Sequence, residues 1–556
     1  MTNRIATIPL VRFAAHLIFV AGLLSFATPL DAEDAVKNVN ALAAGKVLAA
    51  KWEYSTDGGK TFGAESAKIG GSHTVPKRAD AARVKFTIDD PAQVGLLKIA
   101  MTSGRGAIAL TSAASVDRYN VGTCPNMMDT KITLNDQDTD LGHLPNTLYA
   151  YLSIDSTLLK KGENTLELSG TLWHKCYDQG NVPTDMQLEV LPTNLAVLDR
   201  APILGMITPE YFGLAARAII PGTFTVSVTP IEPPGAAAEH SFPRTQQMRT
   251  QVPLPAGTKR FRYSVTVHAG GASKSYGPYE AKVPTSGNGF RFMVAGGTLN
   301  RDNGQGMAPL IKAIETFKPD IFIHTGNYQN CNHWDFFWTD GFWRETQPTF
   351  SRIPLFPMSS PIEMGSPQSF SQMFFFPPDN KDWGHWTAAI GNVRFVAMEA
   401  FNQSLDKSGE SLKGFEAALR DAKEDYVIVL NSHVSHCSPT NYFKVFKQGI
   451  DHTAAKVDPL MVKYNVTAAI GSMHRCYERV EPPANESVPT IVSGRAGGLG
   501  WHTRTDGKPP NTASRKLASD DHYCVFEVTP EGLKMRAINF QGQEIDACVF
   551  PPRQKK

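Results

Sequence analysis

The sequence is poor in the features that most often announce a partner. Its 55 Lys and Arg nearly balance 53 Asp and Glu, giving a formal charge of +2 over 556 residues. No basic tract breaks that balance, so there is no electrostatic reason to expect nucleic acid. None of the seven cysteines stand in a C-x-x-C spacing, which argues against a four-cysteine zinc site. No Leu-x-x-Cys lipobox marks a lipid anchor, and no run beyond the N-terminal one is long enough to cross a bilayer. The surroundings of Ser432, Asn431-Ser432-His433-Val434, lack the G-x-S-x-G elbow of a serine hydrolase. Gly494-Arg495-Ala496-Gly497-Gly498-Leu499-Gly500 lacks the Lys-Ser/Thr of a P-loop and has no helix after it, which argues against a P-loop.

What is present begins with an export signal. Arg4 and Arg12 precede the apolar run Phe13 to Ala27, and a small-residue exit ends at Ala32. That pattern predicts a signal peptide over 1–32, with an uncleaved N-terminal anchor as the alternative. The expected location is secreted or periplasmic, with no membrane span after signal removal. Losing Arg4, Arg12 and Asp31 leaves a charge of +1. In an oxidising compartment the cysteines allow up to three bridges. Cys524 with Cys548, Cys124 with Cys176 and Cys437 with Cys476 are the expected pairs, leaving Cys331, although spacing alone does not fix connectivity.

A chain this long exceeds one hydrophobic core, and three segments follow the signal. Residues 34–193 read as strands and turns: Val84-Lys85-Phe86-Thr87-Ile88 alternates, and Leu158 to Leu168 is a turn centred on Gly162 that feeds a strand. Residues 197–286 carry short strands between Pro/Gly turns such as Leu254-Pro255-Ala256-Gly257-Thr258, which indicates a small antiparallel sandwich. Pro284 to Gly289 is a linker. In 290–552 the rhythm changes. Strand patterns at Phe290–Ala295, Asp320–His324, Tyr426–Asn431 and Val466–Ile470 alternate with helical ones at Met307–Phe317, Lys413–Ala422 and Asp458–Tyr464. Alternating strands and helices make a layered α/β domain, closed here by antiparallel strands near the C-terminus.

Each segment resembles a known family. The turn at Leu158–Leu168 is similar to one common in galactose-binding-like jelly-roll domains, which implies a β-sandwich with carbohydrate as a candidate partner. The second segment resembles the fibronectin type III-like domain that precedes the catalytic domain of purple acid phosphatases. The third resembles the calcineurin-like metallophosphoesterases, closest to the purple acid phosphatase branch. Six pieces carry that resemblance in order: Phe290–Gly296, Lys318–Gly326, Trp334 with Phe336-Phe337, Ile353–Pro357, Gly391–Val396, and Tyr477-Glu478-Arg479 with Gly494, Gly497 and Gly498. The implied fold is a four-layer α/β/β/α domain.

The resemblance also implies a dinuclear site, and here the sequence departs from the pattern. Two cations about 3.5–4 Å apart need a bridging carboxylate plus several carboxylate, amide and imidazole ligands. Where the family has Gly-Asp first, this chain has Gly296-Gly297; where it has the bridging Gly-Asp, this chain has Gly326-Asn327. Gly-Asn-His-Glu is replaced by Ser360-Pro361-Ile362-Glu363, while the fourth-motif imidazole survives as His433. The last pair of imidazoles reads, without a gap, as Met473 and Arg475; one inserted residue would instead align His474 with one of them. The metal candidates are therefore His433, with His474 and Glu363 behind it, and a single-metal cluster of these with His436 and Cys437 is the weaker option. Asn327, His433, His474 and Arg475 are the pocket candidates.

These losses predict a degenerate phosphoesterase without two-metal hydrolysis: a binding or scaffold protein whose pocket accepts a small anion or phosphate-bearing ligand at Arg475. The alternative is an active phosphoesterase with a rebuilt one-metal or atypical site. No cofactor is expected in the first case, and Zn, Fe or Mn in the second. Arg475 paired with Glu363 or Glu399 would leave a closed remnant instead. The aromatic stretch Trp334, Phe336, Phe337, Trp338, Phe342 and Trp343 reads as core and rim packing, with stacking on a sugar or aryl group as the alternative.

Overall fold

The computed structural model describes residues 46–63, 81–103, 131–139, 151–169, 183–192, 198–298, 307–328, 342–360, 385–399, 409–438, 449–498 and 512–554 except 49, 270, 285 and 286, together with 338, 363, 370 and 373–376. The signal, Cys124, Cys176, Cys331, Trp334, Phe336, Phe337, Pro361 and Ile362 lie outside the described residues. No helix among those described is long and apolar enough to cross a membrane.

The first segment holds β1 (Lys46–Val47), β2 (Trp52–Ser55), β3 (Ala81–Ile88), β4 (Val94–Ser103), β5 (Lys131–Leu134), β6 (Gln137–Asp138), β7 (Tyr151–Asp155), β8 (Gly162–Ser169) and β9 (Pro183–Pro192). They form two sheets, ordered β1-β9-β4-β7 and β2-β3-β8-β5-β6, with every pairing antiparallel. The period of two explains the burial: Val84, Phe86 and Ile88 of β3 point inward while Lys85 and Thr87 face solvent. The inward set shares one core with Leu97, Ile154, Leu166 and Leu188, drawn from both sheets. At the turn before β8, Gly162 takes a left-handed φ of +93°, and Asn164 Nδ2 donates to the Lys160 and Gly162 carbonyls at 2.8 and 2.9 Å.

The second segment is a single five-stranded antiparallel sheet: β10 (Leu198–Ile207), β11 (Tyr211–Glu232), β12 (Ala238–Pro253), β13 (Arg260–Ala269) and β14 (Ala272–Lys282). Its 22-residue β11 pairs with β10 and β12 before a register break at Arg217–Gly222, then with β12 and β13 beyond it. The early half of β11 is buried throughout, because it is covered on two sides. Phe212, Leu214 and Ala216 enter the segment's own core, whereas Ala215, with Ile203, joins the core of the third segment. Glycine lets the backbones close: a Cβ on Gly205 would stand 2.6 Å from the Phe375 carbonyl oxygen. Trp343 Nε1 donates to the Ala201 carbonyl at 2.7 Å, and Tyr263 Oη to the Ser351 carbonyl at 2.9 Å. The middle sheet is thus a fixed buttress, joined by packing and hydrogen bonds rather than by a linker alone.

The third segment contains two mixed sheets. The first has β15 (Arg291–Ala295), β16 (Ile321–His324) and β17 (Leu355–Pro357), mutually parallel, followed across the sheet by antiparallel strands described below. The second has β18 (Trp386–Ile390), β19 (Val393–Met398), β20 (Tyr426–Asn431), β21 (Ala468–Gly471), β22 (Tyr477–Val480), β23 (Thr490–Ser493) and β24 (Ser514–Ala518). Its order is β18-β19-β20-β21-β23-β22-β24, with β19, β20, β21 and β23 parallel. β25 (His522–Thr529), β26 (Gly532–Asn539) and β27 (Glu544–Phe550) complete the first sheet in the order β17-β16-β15-β25-β26-β27.

The two sheets face each other across an aromatic core, where Phe292 meets Phe395 edge-on at 5.0 Å and stacks on Phe526 at 4.5 Å. Among the described residues four helices flank them: α1 (Ala308–Phe317), α2 (Arg344–Phe350), α3 (Glu410–Arg420) and α4 (Asp458–Lys463). Leu310 and Ile314 of α1 and Phe350 of α2 pack on the first sheet, while Phe415 and Leu419 of α3 and Met461 of α4 cover Val396, Val427 and Val429 of the second. Trp338, Phe342 and Trp343 are buried with Tyr328 and Phe374, which makes the described part of the aromatic stretch core rather than a stacking platform.

The cysteine expectation needs correcting. Cys524 lies on β25 and Cys548 on β27, each paired with β26 between them. Two strand spacings, about 9.5 Å, exceed the reach of a disulfide. Both are free thiols, as are Cys437 and Cys476, which pack in one small cluster with Val434 and Val492.

Candidate functional site

Parallel strands deliver the candidate residues to one end of the domain. Gly296-Gly297 follow β15, Gly326-Asn327 follow β16, and Ser360 and Glu363 lie beyond β17. From the second sheet, Ser432-His433 follow β20, and Ser472 to Arg475 link β21 to β22. Such carboxyl ends are where open α/β sheets hold ligands.

At this end the loops have closed on one another. Gly297 N donates to the Gly326 carbonyl at 2.9 Å, and Ala496 N to the Gly296 carbonyl at 3.0 Å. Across the sheets, Ser472 Oγ donates to the Thr325 carbonyl; within the second sheet's loops, Met473 N donates to the Ser432 carbonyl at 3.1 Å. A Cβ built on Gly297 would lie 2.8 Å from the Gly494 carbonyl carbon and overlap its oxygen. Gly297 also has φ +69°, where an L side chain is strained.

Asn327 is fully buried and locked in place. Its Nδ2 donates to Met473 Sδ at 3.3 Å, and its Oδ1 lies 2.9 Å from Ser360 Oγ, whose proton goes to Glu363. Glu363 acts as a clamp. Oε1 accepts from Tyr328 N at 2.9 Å, while Oε2 accepts from Asn327 N at 3.1 Å, Ser360 N at 2.9 Å and the Ser360 hydroxyl. Burial pushes the Glu363 carboxyl above its ordinary range, against the pull of those four donors.

On the facing sheet, His433 is fully buried, with Nδ1 2.8 Å from Ser432 Oγ and 3.4 Å from Glu399 Oε1. The Ser432 hydroxyl donates to Glu399, so His433 Nδ1–H is the donor to Ser432. His474 is held down to about 3, chiefly by burial and further by neighbouring His433, and is therefore a neutral imidazole. His324 is likewise lowered to about 3 by burial. Its Nδ1 accepts from Gly326 N at 3.2 Å and its Nε2 lies 3.1 Å from Thr298 Oγ1.

The sequence candidates are thus only partly gathered. Asn327 meets Glu363 and Met473, and His433 neighbours His474. His436 turns away to Asp458, with Nε2 3.7 Å from Oδ2. Arg475 is half-buried in the link between β21 and β22. Three contributors were not anticipated: Ser360 and Met473 as the fastening of Asn327, and Glu399 as the partner of Ser432 and His433. A buried acid at the end of β19 was the available signal for the last.

These residues do not fit a dinuclear metal centre. Gly297 offers no carboxylate, and a Cβ there would collide with backbone; Asn327 is an amide bonded to a thioether; Glu363 has its oxygens committed to four donors. Among the described residues no three His, Cys, Asp or Glu side chains converge as a metal would require.

No family model matches the chain, and no curated protein does. Solved structures do. The purple acid phosphatase PPD1 from yellow lupin (Lupinus luteus) seeds aligns with 84% of this chain and 92% of its own, at a TM-score of 0.55 and 15% identity. PhoD aligns with 63% of this chain and 88% of its own, at a TM-score of 0.47 and 10% identity. Both are calcineurin-like metallophosphoesterases. At such identity the lupin enzyme's likeness establishes a phosphoesterase-like fold for this chain, and no more than the fold.

Proposed function

We propose that this chain is an exported protein of metallophosphoesterase fold that has abandoned two-metal hydrolysis and serves as a binding or scaffold protein. In that reading the N-terminal sandwich and the fibronectin type III-like middle segment support the phosphoesterase-like domain, and Arg475 marks an anion-accepting pocket. The observation that carries it is steric. At Gly297, where the first metal-binding carboxylate would have to project, the Gly494 carbonyl already fills the space. Restoring the residue would not restore the site.

Charge supports the same reading. Asn327 and Met473 are neutral, His474 stays unprotonated, and Glu363 is tied to backbone, so Arg475 is the formal charge that the β21–β22 loop contributes. A guanidinium offers five N–H donors suited to phosphate, sulfate or carboxylate. Metal analysis with an aryl-phosphate assay in added zinc, iron or manganese tests the main claim. Sub-stoichiometric metal and no turnover are expected, and two bound metals with turnover would overturn it. Turnover at one metal per chain, abolished in His433→Ala, would establish the rebuilt-site alternative instead. Calorimetry with phosphate and sulfate on the wild type and Arg475→Met tests the pocket, with binding lost in the variant as the expected result.

A further inference from the structure

The opposite end of the same sheet carries a different feature. Where β15, β16 and β17 begin, against the end of β14, lies a cleft of about 550 Å³. That volume falls in the range of small-molecule sites, and the place, between two packed segments, is one where such sites gather. Lys282, Arg291, Lys318 and Arg352 line it, opposed by Glu315 and Asp320.

The six charges are not equally engaged. Asp320, 2% exposed, is paired with Lys282, and its Oδ2 accepts from Arg291 N at 2.8 Å. Glu315 accepts from Thr349 Oγ1 at 3.0 Å. Arg291 donates to the Lys318 carbonyl at 2.9 Å and lies over the Phe317 ring. The Lys318 ammonium and the Arg352 guanidinium are exposed and make no hydrogen bond or ion pair with the described residues. Lys318 also sits in a left-handed backbone conformation, φ +51° and ψ +61°, at the helix C-terminal position where glycine is the usual residue. Local backbone preference would favour glycine there; the chain keeps a cation.

We propose that this cleft is a second binding site, for a small organic anion carrying a phosphate or two carboxylates, held between Lys318 and Arg352. Buried Asp320 is neutralised by Lys282 above it, leaving the two unengaged cations to set the sign of the opening. The competing account is that both cations merely complement the C-terminal dipoles of α1 and α2.

Calorimetry on the full chain separates the two accounts, with pyrophosphate and citrate as probes. The variants are Lys318→Gly, Arg352→Ala and Arg475→Met. Lys318→Gly relieves a strained backbone, so lost binding there cannot be blamed on lost folding. Binding of either probe that weakens at least tenfold in both cleft variants and persists in Arg475→Met supports the site, and the probe that binds identifies the anion. No heat with the wild type, equal heat in the cleft variants, or loss only in Arg475→Met would each overturn it. Because Arg475 lies at the other end of the strands, failure here leaves the reading of the closed site untouched, and the reverse holds too.

Discussion

The two ends of the first sheet of the third segment make opposite use of polar groups. At the carboxyl ends of its strands, backbone groups and a buried glutamate satisfy one another, the buried imidazole of His324 stays neutral, and the loops shut. At the amino ends, the cleft stays open and two cations remain unengaged. The difference teaches where charge survives. A group taken out of water must be paired or neutralised, as Glu363 and His474 show, whereas Lys318 and Arg352 keep their charge because solvent still reaches them.

The largest effect that would test this contrast is acid sensitivity of the closed end. His324 and His474 are lowered to about 3 and His522 to about 4, each chiefly by burial. Their folded values lie below the ordinary 6.5, so the unfolded chain takes up protons first as pH falls. Stability is full above about 6.5 and declines below it, at about 1.4 kcal/mol per unit for each imidazole. By pH 4.5 that is roughly 3 kcal/mol each. Glu363 and Asp458, raised by burial, act in the opposite sense. Urea titrations across pH 7.5 to 4.5 should show a flatter acid limb in His324→Gln than in the wild type; identical limbs would mean that His324 is not held neutral.

Next in size is Gly297→Asp, which tries to reopen the closed end. The overlap with Gly494 and the left-handed backbone together should cost roughly 4 kcal/mol. Chemical denaturation measures the loss, and a stable variant that gained metal would undo the argument from closure. Glu363→Gln is milder. It replaces one acceptor oxygen by an N–H₂ group facing donors, for an expected loss of about 2 kcal/mol. The smallest effect belongs to the open end: Lys318→Gly should raise stability by about 1 kcal/mol by relieving a left-handed conformation. A loss of stability there would show that the lysine holds the fold rather than waiting for a ligand.

Much of the architecture was legible because burial writes periodicity into the chain. Val84 to Ile88 alternates because β3 has one wet face, and Phe292 to Ala295 is continuously apolar because that part of β15 is covered on both sides. The absence of a carboxylate at Gly297 and Asn327 was equally visible, since it is a property of residue type. The cysteines were misread for the converse reason: Cys524 and Cys548 are close in sequence, but strand order inserts β26 between them.

By itself, then, the sequence determined which residue types stand at the strand ends and where the periodic strands and helices run, because these depend on residue type and local spacing. Only the tertiary structure decided what those strand-end residues touch. That Gly494 fills the space beside Gly297, that Glu363 clamps three loop amides, that His474 is neutral, and that Lys318 and Arg352 face one cleft are all consequences of packing. Each depends on distances between residues far apart in the chain, and no local pattern records such distances.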